Sequence, residues 1–401
     1  MIQHYILLIV SPFTFIGMAF IYFLVAKSLR KNFYLKKNIA LEKSDSSLTI
    51  VIPTYNEQNN IERCLKSIFN SFPPCDDWNV FLVDDSSTDQ TIKLAEKLYL
   101  KNTNIKCNFK IFSSGERPRD CKWVGKNWPC TFVTDKITSS WVLFLDADTS
   151  LDPYALIDSI HYAENNNIDL LSLAPRIKCT CFAEWIVQPI MAILLPIGFP
   201  IKSINDQSNS LAFAAGPFMF FNKSAYDFVG GHRAISGEVV EDIALAKRIK
   251  SSGLKLEFLL GINSLELKMY DDISALLEGW TKNFYIALNK SIIKSIFLSI
   301  VVFSLFSMPW FIIILILKLL IYNDIQSFVM FVLFIFQALT IILQYNLRLY
   351  LSRKARLSTK YWWLMGLGGV LVSLLAPISI FKTLTGISWT WKGRHLANNK
   401  N

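Results

Sequence analysis

The 401-residue chain is short of charge, glycine and proline: charged residues make up 18% of it, with 16 glycines and 14 prolines. Soluble globular domains carry about a quarter charged residues, so the chain is not wholly soluble. So little glycine and proline excludes a collagen-like or low-complexity chain, and a 52% hydrophobic content excludes disorder. Seven cysteines, Cys64, Cys75, Cys107, Cys121, Cys130, Cys179 and Cys181, form an odd and scattered set. They read as free thiols, and Cys179 and Cys181 lack the neighbouring His or Cys that a zinc site needs. Acid is scarcer than base, 31 Asp+Glu against 41 Lys+Arg. The surplus has two explanations, nucleic acid or basic flanks of membrane spans, and position along the chain decides between them.

What the chain has in quantity is long apolar runs. Tyr5 to Ala26 holds no charged side chain, enough at 1.5 Å per residue to cross a hydrocarbon core of about 30 Å. Met1 to His4 has no Lys or Arg, which favours an uncleaved anchor over a signal peptide. Lys27, Arg30, Lys31, Lys36 and Lys37 follow with no acid among them, and the positive-inside rule places that flank in the cytoplasm. Further runs cover Ser295 to Leu317, Ile325 to Tyr345 and Tyr361 to Phe381, the first two a hairpin joined by Lys318 to Asp324. Arg348, Arg353, Lys354, Arg356 and Lys360 return the chain to the cytoplasmic side. The charge is therefore juxtamembrane, and no nucleic-acid partner is expected. If Tyr361 to Phe381 crosses fully, the tail with Lys392, Arg394, His395 and Lys400 falls outside, against the same rule. Gly366, Gly368, Gly369 and Pro377 leave open a re-entrant or interfacial helix that keeps the tail inside.

From Ser47 to about Lys290 the pattern changes. Leu48–Ile52, Val80–Val83, Phe109–Phe112 and Trp141–Leu145 read as strands, and Asn59–Phe72, Thr88–Leu100 and Lys126–Ser139 have helical spacing. The alternation argues an α/β, parallel, doubly wound sheet that binds ligands at the carboxyl ends of its strands. Those ends read Pro53-Thr54-Tyr55-Asn56-Glu57, Asp84-Asp85-Ser86-Ser87-Thr88-Asp89 and Asp146-Ala147-Asp148. Any one could be a helix cap, with Ser87 or Thr88 as the capping residue. Three carboxylate-bearing ends on one rim call for a cation or a donor-rich ligand. At a strand end Asp146 and Asp148 can face one side, a hard-oxygen pair suited to a divalent cation on a diphosphate.

In that order, followed by Glu241-Asp242, these motifs resemble the inverting family 2 glycosyltransferases with the GT-A fold. The chain is similar in particular to membrane members that glycosylate carotenoid acids of the 4,4'-diaponeurosporenoate type and to hopanoid-associated members. Gly125-Lys126-Asn127-Trp128, Gly216-Pro217, Gly230-Gly231-His232, Glu278-Gly279-Trp280-Thr281-Lys282 and Trp391-Lys392-Gly393-Arg394 carry that likeness. The resemblance implies a Rossmann-like GT-A domain over 45–290, an anchor over 1–28, a membrane domain of two to three spans over 291–390 and a basic tail over 391–401. It implies that Pro53, Tyr55 and Glu57 line a uridine pocket, with Tyr55 beside the base and Glu57 near the ribose. Asp85 would contact the uracil edge, Asp84 would support that turn, and Lys126 would lie beside the nucleotide. Asp148, with Asp146, would hold Mg2+ or Mn2+ on the sugar diphosphate, and Asp242, next to Glu241, matches the general base.

Glu241-Asp242 also opens an apolar-periodic helix, where acids are favoured for their own sake. Trp280 offers a stacking face and Lys282 a charge for a diphosphate, or both belong to an amphipathic surface helix. The Gln-x-x-Arg-Trp of processive polysaccharide synthases is missing, which favours transfer of one sugar. Glu184 to Pro200 reads as an interfacial helix or a buried one, and His232 and Arg233 as acceptor contacts or structural residues. The expected activity is transfer of a single sugar from a nucleotide-sugar, UDP-glucose or similar, to a membrane lipid such as a carotenoid acid or other isoprenoid, with catalysis in the cytoplasm at the inner (cell) membrane. The alternatives are a polyprenyl-phosphate or sphingolipid-type glycosyltransferase and a non-catalytic nucleotide-sugar-binding scaffold.

Overall fold

The computed structural model describes residues 2–30, 33–37, 42–102, 105–119, 122–321, 327–387 and 390–395. Lys31, Cys121, part of the expected hairpin turn at 318–324 and the tail from residue 396 lie outside them. The six described cysteines are free thiols. The chain divides into two compact units, one of Asn32–Lys178 with Phe199–Met269, the other of Met1–Lys31, Cys179–Gly198 and Tyr270–Asn401.

The first unit is built on strands β1 (Leu48–Thr54), β2 (Trp78–Asp84), β3 (Asn108–Ser113), β4 (Trp141–Leu145), β5 (Thr149–Leu151), β6 (Leu170–Ala174), β7 (Arg176–Ile177), β8 (Phe218–Asn222), β9 (Leu256–Leu260) and β10 (Leu265–Leu267). Seven form one sheet in the order β3-β2-β1-β4-β8-β6-β9, and β5-β10-β7 form a small second sheet. β1 and β4 are buried along their whole length, as continuous apolar runs covered on both faces must be. The sheet is mainly parallel, as expected, with one strand reversed: β8 runs antiparallel to both β4 and β6. Its register opposes Phe218 to Leu145, so the residues entering β8 lie beside the end of β4, and the Asp146 N–H donates to the Pro217 carbonyl at 3.3 Å. Helices also start later than their periodicity suggests. Thr91–Lys101 begins beyond Ser87 and Thr88, which therefore do not cap it; Asp89 accepts from the Thr91 N–H at 2.9 Å instead. The expected helix over 126–139 is cut to Asn127–Phe132 and a 3-10 turn at Thr134–Lys136.

Among the described residues, the second unit holds four helices long and apolar enough to cross a membrane: Val10–Ser28, Ile292–Leu319, Phe328–Ala355 and Trp362–Thr385. The N-terminal helix and the helix Ser327–Ala355 run parallel, since Thr14 bonds Gln337 at 3.3 Å and Tyr350 donates to the Ala26 carbonyl at 3.4 Å. Lys27 and Arg30 after the one helix and Arg353 and Lys354 at the end of the other thereby lie at the same end of the bundle. The second span changes to a π-turn at Phe303–Ser307. Gln344 Nε2 satisfies the carbonyls of Leu305 and Phe306 there at 2.8 and 3.2 Å, and its Oε1 accepts from Trp310 Nε1 at 2.9 Å.

The glycines of the last apolar segment do not break it. Met365–Thr385 is one helix, and a Cβ at Gly366, Gly368 or Gly369 would collide with Trp310, the Ile186 carbonyl or Ser307. Small residues here permit close helix packing. This helix runs antiparallel to the second span: Ser307 donates to the Gly366 carbonyl at 2.8 Å, Ser299 to the Ser373 carbonyl, and Ser379 to the Thr281 carbonyl at 2.6 Å. After it, Thr390–Trp391 and Arg394–His395 pair as a hairpin whose tight turn has positive φ at Lys392 and Gly393. Thr390 donates to Glu278 Oε1 at 2.5 Å, and a Cβ on Gly279 would strike the Tyr270 ring. The helix Phe182–Gly198 is largely buried in this unit, with Glu184 wholly buried and accepting from the N–H groups of Thr180 and Tyr270 at 2.7 and 3.2 Å.

Candidate active site

The ends of β1 and β2 interlock through short polar side chains and left-handed backbone. Asn56 and Ser86 take positive φ of 53° and 62°, the left-handed region that Asn tolerates. The Asn56 N–H donates to Ser87 Oγ at 3.0 Å, the Thr88 N–H to Asn56 Oδ1 at 2.9 Å, and the Glu57 N–H to Thr91 Oγ1 at 2.8 Å. Asp84 accepts from the Ser87 N–H at 3.2 Å, closing its own turn. Pro53 is buried within β1 opposite Val83, while Tyr55 and Glu57 are half-buried on the rim. Asp85, almost wholly buried, pairs with Arg117 at 2.6 Å.

At the end of β4 the charges converge. Lys126, just after the left-handed Gly125, pairs with Asp146 and lies 3.1 Å from Glu241 Oε1. Glu241 and Asp242 open the helix Glu241–Ser251. Asp242 accepts from its neighbour Ile243 N–H at 2.7 Å and from the Gly216 N–H at 3.0 Å. A Cβ on Gly216 would lie 3.2 Å from Asp242 Oδ2, 3.4 Å from Glu241 Oε1 and 3.4 Å from Lys126 Nζ, so this glycine is the floor of the cluster. Burial, reinforced by the adjacent Glu241, pushes the Asp242 carboxyl up to about 7, with Lys126 acting in the other direction. Burial opposes the charge of Lys126, but Asp146 and Glu241 outweigh it and hold the ammonium well above its ordinary value.

Asp148 lies in the turn closed by the Thr149 N–H on the Asp146 carbonyl at 3.0 Å, and Arg63 donates to the Asp148 backbone carbonyl. Among the described residues no three His, Cys, Asp or Glu side chains gather into a metal cage. Mg2+ and Mn2+ fill most of their spheres with water and phosphate oxygens, so a pair of hard carboxylates such as Asp146 and Asp148 fits such an ion without a cage. Trp280 and Lys282 lie on the helix Ile273–Ala287 of the other unit. His232 is wholly buried, edge-on to Phe144, with its Nδ1 2.7 Å from the Tyr226 hydroxyl, and burial pushes it down to about 3. Arg117 and Gly216 take part in the site although their roles are not legible in sequence. Arg117 belongs to no strand-end motif, and Gly216 acquires its neighbours only when β8 folds back along β4.

A family model described as "Glycosyl transferase family group 2" matches residues 141–384, and one described as "Glycosyl transferase family 2" matches residues 49–230. The chain belongs to this glycosyltransferase family. Among curated relatives, the 4,4'-diaponeurosporenoate glycosyltransferase of Staphylococcus aureus (strain N315) is 26% identical over 250 residues, 62% of this chain. The protein of that name from strain bovine RF122 / ET3-1 is 27% identical over 246 residues, 61% of this chain. The alignments span 63% and 62% of those relatives' own lengths, under two thirds. Among solved structures, a Pyrobaculum calidifontis mannosyltransferase in complex with GDP-Man and Mn2+ aligns with a TM-score of 0.53 at 15% identity, covering 95% of this chain and 99% of that one. That likeness establishes the fold of the glycosyltransferase as GT-A.

Proposed function

We propose that this glycosyltransferase moves one sugar, with inversion, from a UDP-sugar to a lipid acceptor such as a carotenoid acid or other isoprenoid. The observation that carries the reading is the convergence of Lys126, Asp146, Glu241 and Asp242 around Gly216. Pro53, Tyr55, Glu57, Asp84 and Asp85 form the nucleoside side of the site, and Lys126 sets a cation beside the diphosphate. Asp148 and Asp146 would hold a divalent metal, which when bound offsets the charge developing on the leaving diphosphate. Asp242 takes the proton of an attacking hydroxyl: a carboxyl titrating near 7 is matched to that task at neutral pH. A lipid carboxylate needs no such help, being ionised already, since unperturbed carboxyl pKa values are about 4.

The N-terminal helix over 1–28 acts as anchor, 45–290 as the catalytic region, 291–390 as the membrane region and 391–401 as a basic tail. The shared end of the two basic flanks faces the cytoplasm, where nucleotide sugars are found. The helix Met365–Thr385 stays on that side: it starts beside Ser307, half-way along the second span, and ends beside Thr281, which precedes that span. It is absent from the apolar cluster of Ile312, Ile316, Met330 and Leu333 at the opposite end. The decisive experiment supplies detergent-purified protein with UDP-[14C]glucose, Mn2+ and extracted membrane lipids. Label in the lipid phase supports the reading, and none with any UDP-sugar would overturn it.

A further inference from the structure

We propose that Arg117 is a positioning residue for the donor, tying the carboxylate that reads the nucleobase to the turn that carries Lys126. The inference rests on the UDP-sugar reading of the site. One guanidinium bonds two segments at once: Nη2 meets Asp85 Oδ2 at 2.6 Å and the Gly125 carbonyl at 3.0 Å, while Nη1 donates to the Trp123 carbonyl at 2.9 Å. Asp85 follows β2, and Gly125, at φ 57°, immediately precedes Lys126. A planar fork of five donors can serve both; a lysine ammonium, a point charge, cannot hold the same geometry.

The pair is no surface contact, since the Asp85 side chain is 5% exposed and that of Arg117 28%. Ser114 adds a second restraint, its hydroxyl 3.4 Å from Asp85 Oδ1 and its carbonyl accepting from Trp128 Nε1 at 3.1 Å. Beyond Lys126 the same segment continues to the catalytic helix. The wholly buried Asn127 places Nδ2 at 3.0, 3.1 and 3.0 Å from the carbonyls of Ile235, Ser236 and Glu238, shortly before Glu241 and Asp242. Asp85 and the Lys126 turn are therefore aligned by a common side chain. Removing Arg117 takes the partner from Asp85 and the anchor from the Gly125 turn together.

The test is competition titration of uridine and of UDP against the full-length protein in detergent with Mg2+, on wild type, Arg117→Ala and Arg117→Lys. Arg117→Ala should weaken uridine about tenfold and UDP by a further factor of about ten, because the diphosphate loses an aligned Lys126 as well. Arg117→Lys keeps a charge beside Asp85, so uridine should stay within a few-fold while the extra affinity of UDP over uridine falls. A brace that merely supports the fold would scale both ligands alike. Unchanged UDP affinity in Arg117→Ala, or one common factor for uridine and UDP in both variants, would overturn the inference; if Arg117→Ala does not fold, the Arg117→Lys ratio decides. Failure of the wild type to bind UDP would instead sink the donor reading, and the inference with it.

Discussion

Lys126 Nζ lies 3.1 Å from Glu241 while also paired with Asp146, so one ammonium joins the end of β4 to the start of the helix Glu241–Ser251. In the proposed donor site, two carboxylates that receive a diphosphate need such a counter-charge, or their repulsion would spread the site. Lys126→Met should lower kcat/KM for the UDP-sugar by about a hundredfold, and Lys126→Arg by less. Steady-state rates with the donor varied decide it, and a loss under threefold for Lys126→Met would count against the assignment.

Asp242 titrating at about 7 gives the transfer a pH signature. With an alcohol acceptor the base must be ionised, so the rate should climb tenfold per pH unit below about 7 and level above it. Asp242→Asn should abolish that reaction and only weaken transfer to a lipid carboxylic acid. Equal losses with both acceptors in purified enzyme would remove the distinction.

The same shift makes a statement about stability. A carboxyl raised in the folded state binds its proton more tightly than in the unfolded chain, where it titrates near 4. That extra stability is complete below about 4 and is lost as pH rises through about 7. Above pH 7 the ionised, desolvated Asp242 is a burden, and Asp242→Asn should gain on the order of 1 kcal/mol there and nothing at pH 4. Melting curves of wild type and variant at pH 8 and pH 4 compare the two.

A Cβ on Gly216 would press on Asp242 at 3.2 Å and on Glu241 and Lys126 at 3.4 Å, so these side chains would have to shift by a few tenths of an ångström. Gly216→Ala should leave the melting temperature within a few degrees and cut kcat at least about tenfold by displacing the base. Wild-type kcat in the variant would show that the cluster tolerates the shift.

Thr390 bonds Glu278, which precedes the second span, so the terminal hairpin lies beside that residue, and the proposed topology puts both on the cytoplasmic side. A green fluorescent protein fused to the C-terminus should fluoresce in bacterial cells, and alkaline phosphatase at the same point should be inactive. An active phosphatase fusion would mean that Met365–Thr385 crosses fully.

The sequence by itself determined what local chemistry carries. Apolar length marks the membrane helices, charge position marks their basic flanks, and strand ends announce Asp85, Asp146 and Asp148, because each signal is written within a few consecutive residues. Tertiary structure alone decided what depends on distant segments meeting. The antiparallel return of β8 puts Gly216 under Asp242, and Arg117 reaches across to Asp85 and Gly125 from a segment with no motif of its own. Residues 365–385 have the composition of a span, yet serine-to-carbonyl bonds at Ser299 and Ser307 set their direction. Hydropathy counts length and says nothing of which neighbour a helix lies against, and that neighbour fixes where the helix begins and ends.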